Sequence, residues 1–253
     1  MELEYKISKW LKNYLEDHNF DCFVVGVSGG IDSSLVSTLC AITGKKTIVV
    51  SLPINQEKNQ LNRANKHINW LKKKYSNVES IDIDLSNSFK SLSTIIENPS
   101  KLSLANSKSR LRMVSLYLIA SNKNGIVVGT GNKIEDFGIG FFTKYGDGGV
   151  DISPIADLYK SEVFELSKKL GIDTEIINAK PTDGLWDDDR TDEDQIGASY
   201  DELEWAMNEL KMNDKIDNSK LTDRQIKVLN IYEKLNTVNK HKMIPIPIFL
   251  KNE

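Results

Sequence analysis

The feature that most constrains this chain is Ser28-Gly29-Gly30-Ile31-Asp32-Ser33-Ser34, set at the end of the apolar run Cys22 to Val27. Val24, Val25 and Val27 read as a buried strand. Ser33 to Ile42 reads as a helix with Leu35, Val36 and Leu39 on its apolar side. A glycine pair between strand and helix lets the backbone approach a ligand closely, and the helix start then offers unpaired N–H groups and positive dipole to an anion. Gly26, Val27, Ser28, Gly29, Gly30, Ile31, Asp32 and Ser33 are therefore expected to cradle phosphate. The segment is not a Walker A loop, because no Gly-Lys-Ser/Thr ending follows. For Gly-Gly alone, an ordinary tight βα turn is the alternative reading.

Elements alternate around this loop. Leu3, Ile7, Trp10, Leu11, Tyr14 and Leu15 fall at helical spacing, which predicts an amphipathic helix over 2–17. Strands are predicted at 22–27, 46–52, 78–84 and 125–129, with helices at 33–43, 57–74, 87–97 and 103–122 between them. Strands separated by helices imply a parallel sheet with right-handed crossovers. Residues 137–151 carry five glycines and no clear period, and 180–195 are irregular and acidic. A long stretch without an element is functional or disordered, and the aromatics of the first argue against disorder. Helices are predicted at 154–170, 199–210 and 221–236, followed by a tail from His241 through Pro247 too rich in proline to be helical. The expected fold is α/β, a doubly wound parallel sheet with helices on both faces and extra C-terminal helices, forming one domain over residues 1–253.

Composition narrows the function. At 40% hydrophobic residues the chain can bury a real core. No apolar run has the length of a membrane span, and Met1-Glu2-Leu3-Glu4 opens an acidic amphipathic segment rather than a signal peptide. Cys22 and Cys40 lie in apolar surroundings, as buried thiols of a cytoplasmic protein would. Three scattered histidines argue against a zinc site, and a net charge of −3 argues against nucleic-acid binding. A phosphorylated ligand would need a local basic cluster.

On the phosphate loop Asp32 makes sense as a Mg²⁺ ligand, since that ion takes one or two carboxylates plus phosphate oxygens. A helix-capping role is equally open. Glu135, in Gly129-Thr130-Gly131-Asn132-Lys133-Ile134-Glu135, leaves the last predicted strand at the same sheet edge. It is a second candidate ligand or an ordinary acidic first-turn residue. Thr130 is a nucleotide contact or a cap. Arg110, Arg112, Lys144, Lys160, His241 and Lys242 supply positive charge from segments that already look functional, with solvated surface charge as the alternative for each. Lys58, Lys66 and Lys72-Lys73-Lys74 read as a solvated helix face, and Asp187-Asp188-Asp189 as a solvated loop. No Gly-x-Ser-x-Gly elbow is present, nor a cysteine with a histidine partner, which suits phosphate chemistry carried by positioning and charge neutralisation.

Together these segments resemble the ATP pyrophosphatases and, within them, ammonia-dependent NAD synthetase. The resemblance runs through Gly26 to Ser33, Asn106 to Met113, Thr130 to Glu135, and Gly140-Phe141-Phe142-Thr143-Lys144-Tyr145-Gly146-Asp147-Gly148-Gly149-Val150-Asp151. It ends in Asp157 to Lys160, Lys180 to Trp186, Thr191 to Asp194 and His241-Lys242. It implies ATP and deamido-NAD as substrates, Mg²⁺ at Asp32 and Glu135, and an adenylated carboxylate that ammonia converts to the amide. By position it implies that Arg110, Lys144, Asp151, His241 and Lys242 contact deamido-NAD and that Thr130, Lys160 and Thr182 contact ATP. Asp147 would bind ammonium and receive its proton. It also implies a homodimer, with the N-terminal helix and the Arg110–Tyr117 helix as candidate interface elements. Three departures stand out. Gly-Thr-Gly-Asn-Lys replaces Gly-Thr-Asp-His, one more residue separates Glu135 from Lys144, and Met243 stands where Arg is common.

Overall fold

A computed structural model describes residues 2–182, 184–186, 190–212 and 216–251. Met1, Asp183 and the Asp187-Asp188-Asp189 run lie outside the described residues. The chain opens with helix α1 (Leu3–Asp17), then β1 (Cys22–Gly26), α2 (Ile31–Ile42), β2 (Lys46–Ser51), α3 (Lys58–Lys74) and β3 (Val78–Asp82). Helices α4 (Ser86–Ser93) and α5 (Lys101–Asn122) lead to β4 (Gly125–Val127). All strand pairs are parallel, in the order β3-β2-β1-β4. The chain thus steps outward from β1 through β2 to β3, then returns to the other side of β1. The loops after β1 and β4 diverge at that reversal, where open α/β sheets bind ligands.

Alternation along the strands sorts the core into two layers. Phe23 and Val25 face α1 and α2, packing with Leu11, Leu15, Leu35 and Leu39, and Val49 meets Ala64, Ile68 and Leu71 of α3 on the same side. Cys22, Val24, Ile48 and Val50 face the other way, against Phe89 of α4 and Ala120 of α5. Both faces are covered, so the strands read as continuous apolar runs. Each fully buried leucine here contributes about 2 kcal/mol from area removed from water.

Beyond the sheet lie a π-helical turn (Ile134–Ile139), α6 (Lys160–Leu170), α7 (Thr174–Ile177), α8 (Asp192–Ile196), α9 (Tyr200–Met212) and α10 (Asp223–Met243). The π turn, α9 and α10 share a separate cluster built on Ile134, Ile139, Leu203, Val228, Leu229 and Tyr232. Helices α9 and α10 are the expected extra C-terminal helices.

Several boundaries differ from the expectations. The helix predicted from Pro154 starts at Lys160, because Tyr159 is extended (φ −67°, ψ 158°) and its N–H donates to Glu162 Oε2 at 2.8 Å. The helix predicted at 87–97 ends at Ser93, and the acidic stretch 180–195 contains the start of α8, opened by Thr191, whose side chain accepts from Asp194 N–H. The largest difference is at the tail. His241, Lys242 and Met243 are helical, and only from Ile244, which precedes Pro245, does the chain extend. Side chains tie this end of α10 to the π turn. Asn236 Nδ2 donates to Gly138 O at 2.7 Å and Asn239 Nδ2 to Ile139 O at 2.8 Å.

The π turn covers the first part of the stretch from Glu135 to Lys144, whose spacing departs from the resemblance. It closes at Gly140 (φ +62°), where a Cβ would stand 2.5 Å from Asn239 Cβ. Both the left-handed backbone and the close approach of α10 call for glycine.

Candidate active site

The loop after β1 is shaped by glycine and held by serine. Gly29 has φ +86°, and a Cβ there would fall 2.5 Å from Gln60 O of α3. Ser33 Oγ accepts from Ser28 N–H at 3.2 Å and donates to Gly30 O at 3.1 Å, and Ser34 Oγ donates to the same carbonyl at 2.9 Å. With carbonyls and hydroxyls so engaged, the N–H groups of Ile31, Asp32 and Ser33 have no partner among the described residues. The arrangement is an anion cradle at the start of α2.

Asp32 does not cap that helix. Its Oδ2 accepts from Lys160 Nζ at 2.7 Å and its Oδ1 from Asn132 Nδ2 at 3.2 Å. Lys160, the first residue of α6 and only 2% exposed, also reaches Glu135 Oε1 at 3.1 Å. Tyr200 OH donates to the same Glu135 oxygen at 2.6 Å and stands 3.2 Å from Asp192 Oδ2, while the Lys160 ammonium lies 4.6 Å from the Tyr200 ring centre. Burial works against the Lys160 ammonium, but the two carboxylates outweigh it and hold the group above the ordinary lysine range. Burial pushes Asp32 up, with Glu135 adding to the effect. For Glu135 burial is overcome by Lys160 and the Tyr200 hydrogen bond, which keep it lowered. One cation between two carboxylates leaves net negative charge, a hard oxygen donor set suited to Mg²⁺ beside phosphate.

Asn132, in Gly-Thr-Gly-Asn-Lys, bridges two elements of the site. Its Oδ1 accepts from the N–H groups of Ile134 and Glu135 at 3.1 and 3.2 Å, capping the π turn while Nδ2 holds Asp32.

A cavity of about 290 Å³ opens over this cluster, lined by the phosphate loop, Thr130, Glu135, Asp147, Lys160 and Thr182 among others. A smaller cavity of about 150 Å³ adjoins it, and both touch Gly131, Asp136, Phe142 and Asp147. Asp147 is anchored through Oδ1, which accepts from Ser109 Oγ at 2.6 Å and Thr143 N–H at 3.0 Å. Thr182 Oγ1 donates to Arg190 O at 3.2 Å.

The remaining sequence candidates lie farther out. Arg110 donates from Nε and Nη2 to Lys144 O at 3.3 Å, and Lys144 Nζ donates to His241 O at 2.5 Å. None of these three lines either cavity. Lys242 lines the smaller one and donates to Gly140 O and Phe142 O, each at 2.9 Å. Asp151 lies outside both, with Oδ2 accepting from Val127 N–H at 2.7 Å and Oδ1 from Tyr117 OH at 2.9 Å. Arg112 lines the larger cavity and donates to Leu52 O at 3.0 Å and Gln56 Oε1 at 2.8 Å. Sequence reading missed Tyr200, Asp136 and Arg63. Tyr200 opens a predicted helix and Arg63 sits within one, and neither carries a local signal.

A doubly wound α/β fold with free N–H groups at its sheet reversal is the architecture in which phosphorylated ligands bind at the strand ends. The sequence profile of the NAD synthase family matches residues 3–245. An NH(3)-dependent NAD(+) synthetase of Finegoldia magna is 37% identical over 224 residues, covering 87% of this chain and 88% of that protein. Another, from Alkaliphilus metalliredigens, is 34% identical and covers 98% and 99% of the two chains. Among solved structures, an NMN synthetase from Francisella tularensis superposes with TM-score 0.84 at 29% identity, covering 98% of this chain and 97% of that one. The NH3-dependent NAD synthetase from Campylobacter jejuni gives TM-score 0.80 at 27% identity, with coverage of 99% and 100%. The chain belongs to the NAD synthase family and is a ligase.

Proposed function

We propose that this protein converts deamido-NAD to NAD with ATP and ammonia. A carboxylate is a poor acyl donor because oxide is its leaving group, and adenylation supplies a better one. The nicotinate carboxylate oxygen attacks the α-phosphorus of ATP, the bond to the bridging oxygen breaks, and pyrophosphate departs. Ammonia then attacks the acyl carbon, the bond to AMP breaks, and the nitrogen sheds a proton as the amide forms.

The residues divide the work. The free N–H groups of Ile31, Asp32 and Ser33 bind phosphate oxygens, and Lys160 offsets charge beside them. Asp32 and Glu135 would hold Mg²⁺, which when bound supplies further neutralisation of the polyphosphate. Thr130 and Thr182 contact ATP from the cavity wall. Asp147 binds ammonium and takes its proton. Arg110, Lys144, Asp151, His241 and Lys242 hold the dinucleotide acceptor, and the glycine-rich segment around Asp147 keeps water from the adenylate. Exposed Val114 and Leu118 on α5 support a second copy covering that face in a homodimer.

The observation that carries this reading is the convergence of the phosphate loop, the Asp32–Lys160–Glu135 cluster and Asp147 on one cavity. The likeness to an NMN synthetase favours a second acceptor, the corresponding mononucleotide, which carries the same nicotinate carboxylate. The test is pyrophosphate release from MgATP in ammonium buffer, with deamido-NAD, with nicotinate mononucleotide, and with neither, the amide being quantified in parallel. Pyrophosphate matched by NAD and dependent on deamido-NAD supports the first reading. Preference for the mononucleotide replaces the acceptor, and release without any amide overturns both.

A further inference from the structure

The cavity lining includes four cations, Arg63, Arg112, Lys160 and Lys180, together with the carboxyl groups of Asp32, Glu135, Asp136, Asp147 and Asp192. A polyphosphate entering there needs positive charge that the protein has not already used. Lys160 is engaged by two carboxylates, Arg112 donates to Leu52 O and Gln56 Oε1, and Lys180 stands at the exposed rim. Arg63 differs. It is half-buried on α3, directly against the phosphate loop. Its Nε donates to Gly29 O at 3.3 Å, and its Cβ would lie 3.3 Å from a Cβ placed on Gly29. No other described residue bonds its guanidinium, and it has no ion-pair partner among the described residues.

We propose that Arg63 is a phosphate-binding residue of this site, its guanidinium taking the β- and γ-phosphates of ATP and the pyrophosphate that leaves. The Gly29 carbonyl fixes the plane of the fork at the loop, and the Nη donors supply the bidentate geometry that phosphate oxygens accept. Bracing a carbonyl alone would need one neutral donor. Arginine adds charge where the loop offers only N–H groups and the neighbouring side chains are acidic. The placement also explains the tight packing at Gly29, since α3 must lie against the loop for Arg63 to reach beyond it. This assignment rests on the reading that the cavity takes ATP, but not on which acceptor is amidated.

The experiment is calorimetric titration of wild type, Arg63→Gln and Arg63→Lys with MgATP, inorganic pyrophosphate and AMP. Glutamine keeps a donor for the Gly29 carbonyl and removes the charge. The expected result is a loss of about tenfold to a hundredfold in affinity for ATP and pyrophosphate in Arg63→Gln, the range for a charge-assisted contact. AMP, which lacks the outer phosphates, should bind within about twofold of wild type, and Arg63→Lys should recover part of the loss. Unchanged ATP and pyrophosphate affinity, or an equal loss for AMP, overturns the proposal. Wild type that binds ATP but forms no amide defeats the proposed reaction and leaves the comparison of variants decisive for Arg63.

Discussion

Lys160 Nζ lies 2.7 Å from Asp32 Oδ2 although 128 residues separate them in sequence. The same ammonium holds Glu135, so a single buried cation ties the start of α2, the π turn and the start of α6 into one unit. Removing it leaves two largely buried carboxylates facing each other. Lys160→Met is expected to lose about 3–5 kcal/mol of stability, the cost of stranding buried charge. Urea unfolding checks this, and amide formation should fall by at least about a hundredfold if the ammonium offsets phosphate charge in the transition state.

Tyr200→Phe keeps the ring beneath Lys160 and removes only the hydroxyl that donates to Glu135 at 2.6 Å. A lost hydrogen bond to a charged group costs about 1.5–3 kcal/mol. The expected signature is a lower unfolding midpoint together with a higher Mg²⁺ requirement for turnover. Unaltered metal dependence would separate Tyr200 from any metal function of Glu135.

Gly29→Ala places a methyl group 2.5 Å from Gln60 O in a left-handed backbone. Relief requires the loop or α3 to move. A stability loss of about 1–3 kcal/mol is expected, with ATP affinity falling more than the affinity for the acceptor. Ligand titrations of the folded variant decide it.

Asp136 lines both cavities, and burial pushes its carboxyl up to about 8, with Glu135, Asp147 and Asp32 adding repulsion. The folded protein keeps this proton to higher pH than the unfolded chain, so the group's contribution is full below about pH 4 and is lost as pH rises through about 8. Asp136→Asn should therefore gain stability relative to wild type as pH goes from 5 to 9, by roughly 2–3 kcal/mol after discounting for solvent. Parallel thermal melts across that range test the sign.

Asp147→Asn retains an oxygen for Ser109 and Thr143 N–H but loses the negative charge. The ammonium KM should rise about tenfold or more, while ATP affinity stays within about twofold. An unaltered ammonium dependence would remove Asp147 from that role.

Much of the candidate site is legible in the sequence. The apolar run into Ser28-Gly29-Gly30, the following helix and the strand–helix alternation all rest on nearest-neighbour chemistry. Backbone freedom at glycine and the period of apolar residues act over a few positions. Asp32, Glu135 and Lys160 were each recognisable from their segments, and Asp32 and Glu135 were expected at one sheet edge, but the Lys160 ammonium set between the two carboxylates was not.

Local pattern determined the strands, the parallel fold class and the serine-glycine loop between β1 and α2. Tertiary structure decided what the charged residues do. Asn132 with Asp32, Tyr200 with Glu135 and Arg63 with Gly29 are pairs 100, 65 and 34 residues apart. It also decided that His241 and Lys242 stay helical, because α10 packs on the carbonyls of the π turn rather than following its own tail. A side chain's neighbours along the chain set its backbone preference, whereas its charge and hydrogen-bonding role depend on burial and on partners that only the packed sheet and helices bring within reach.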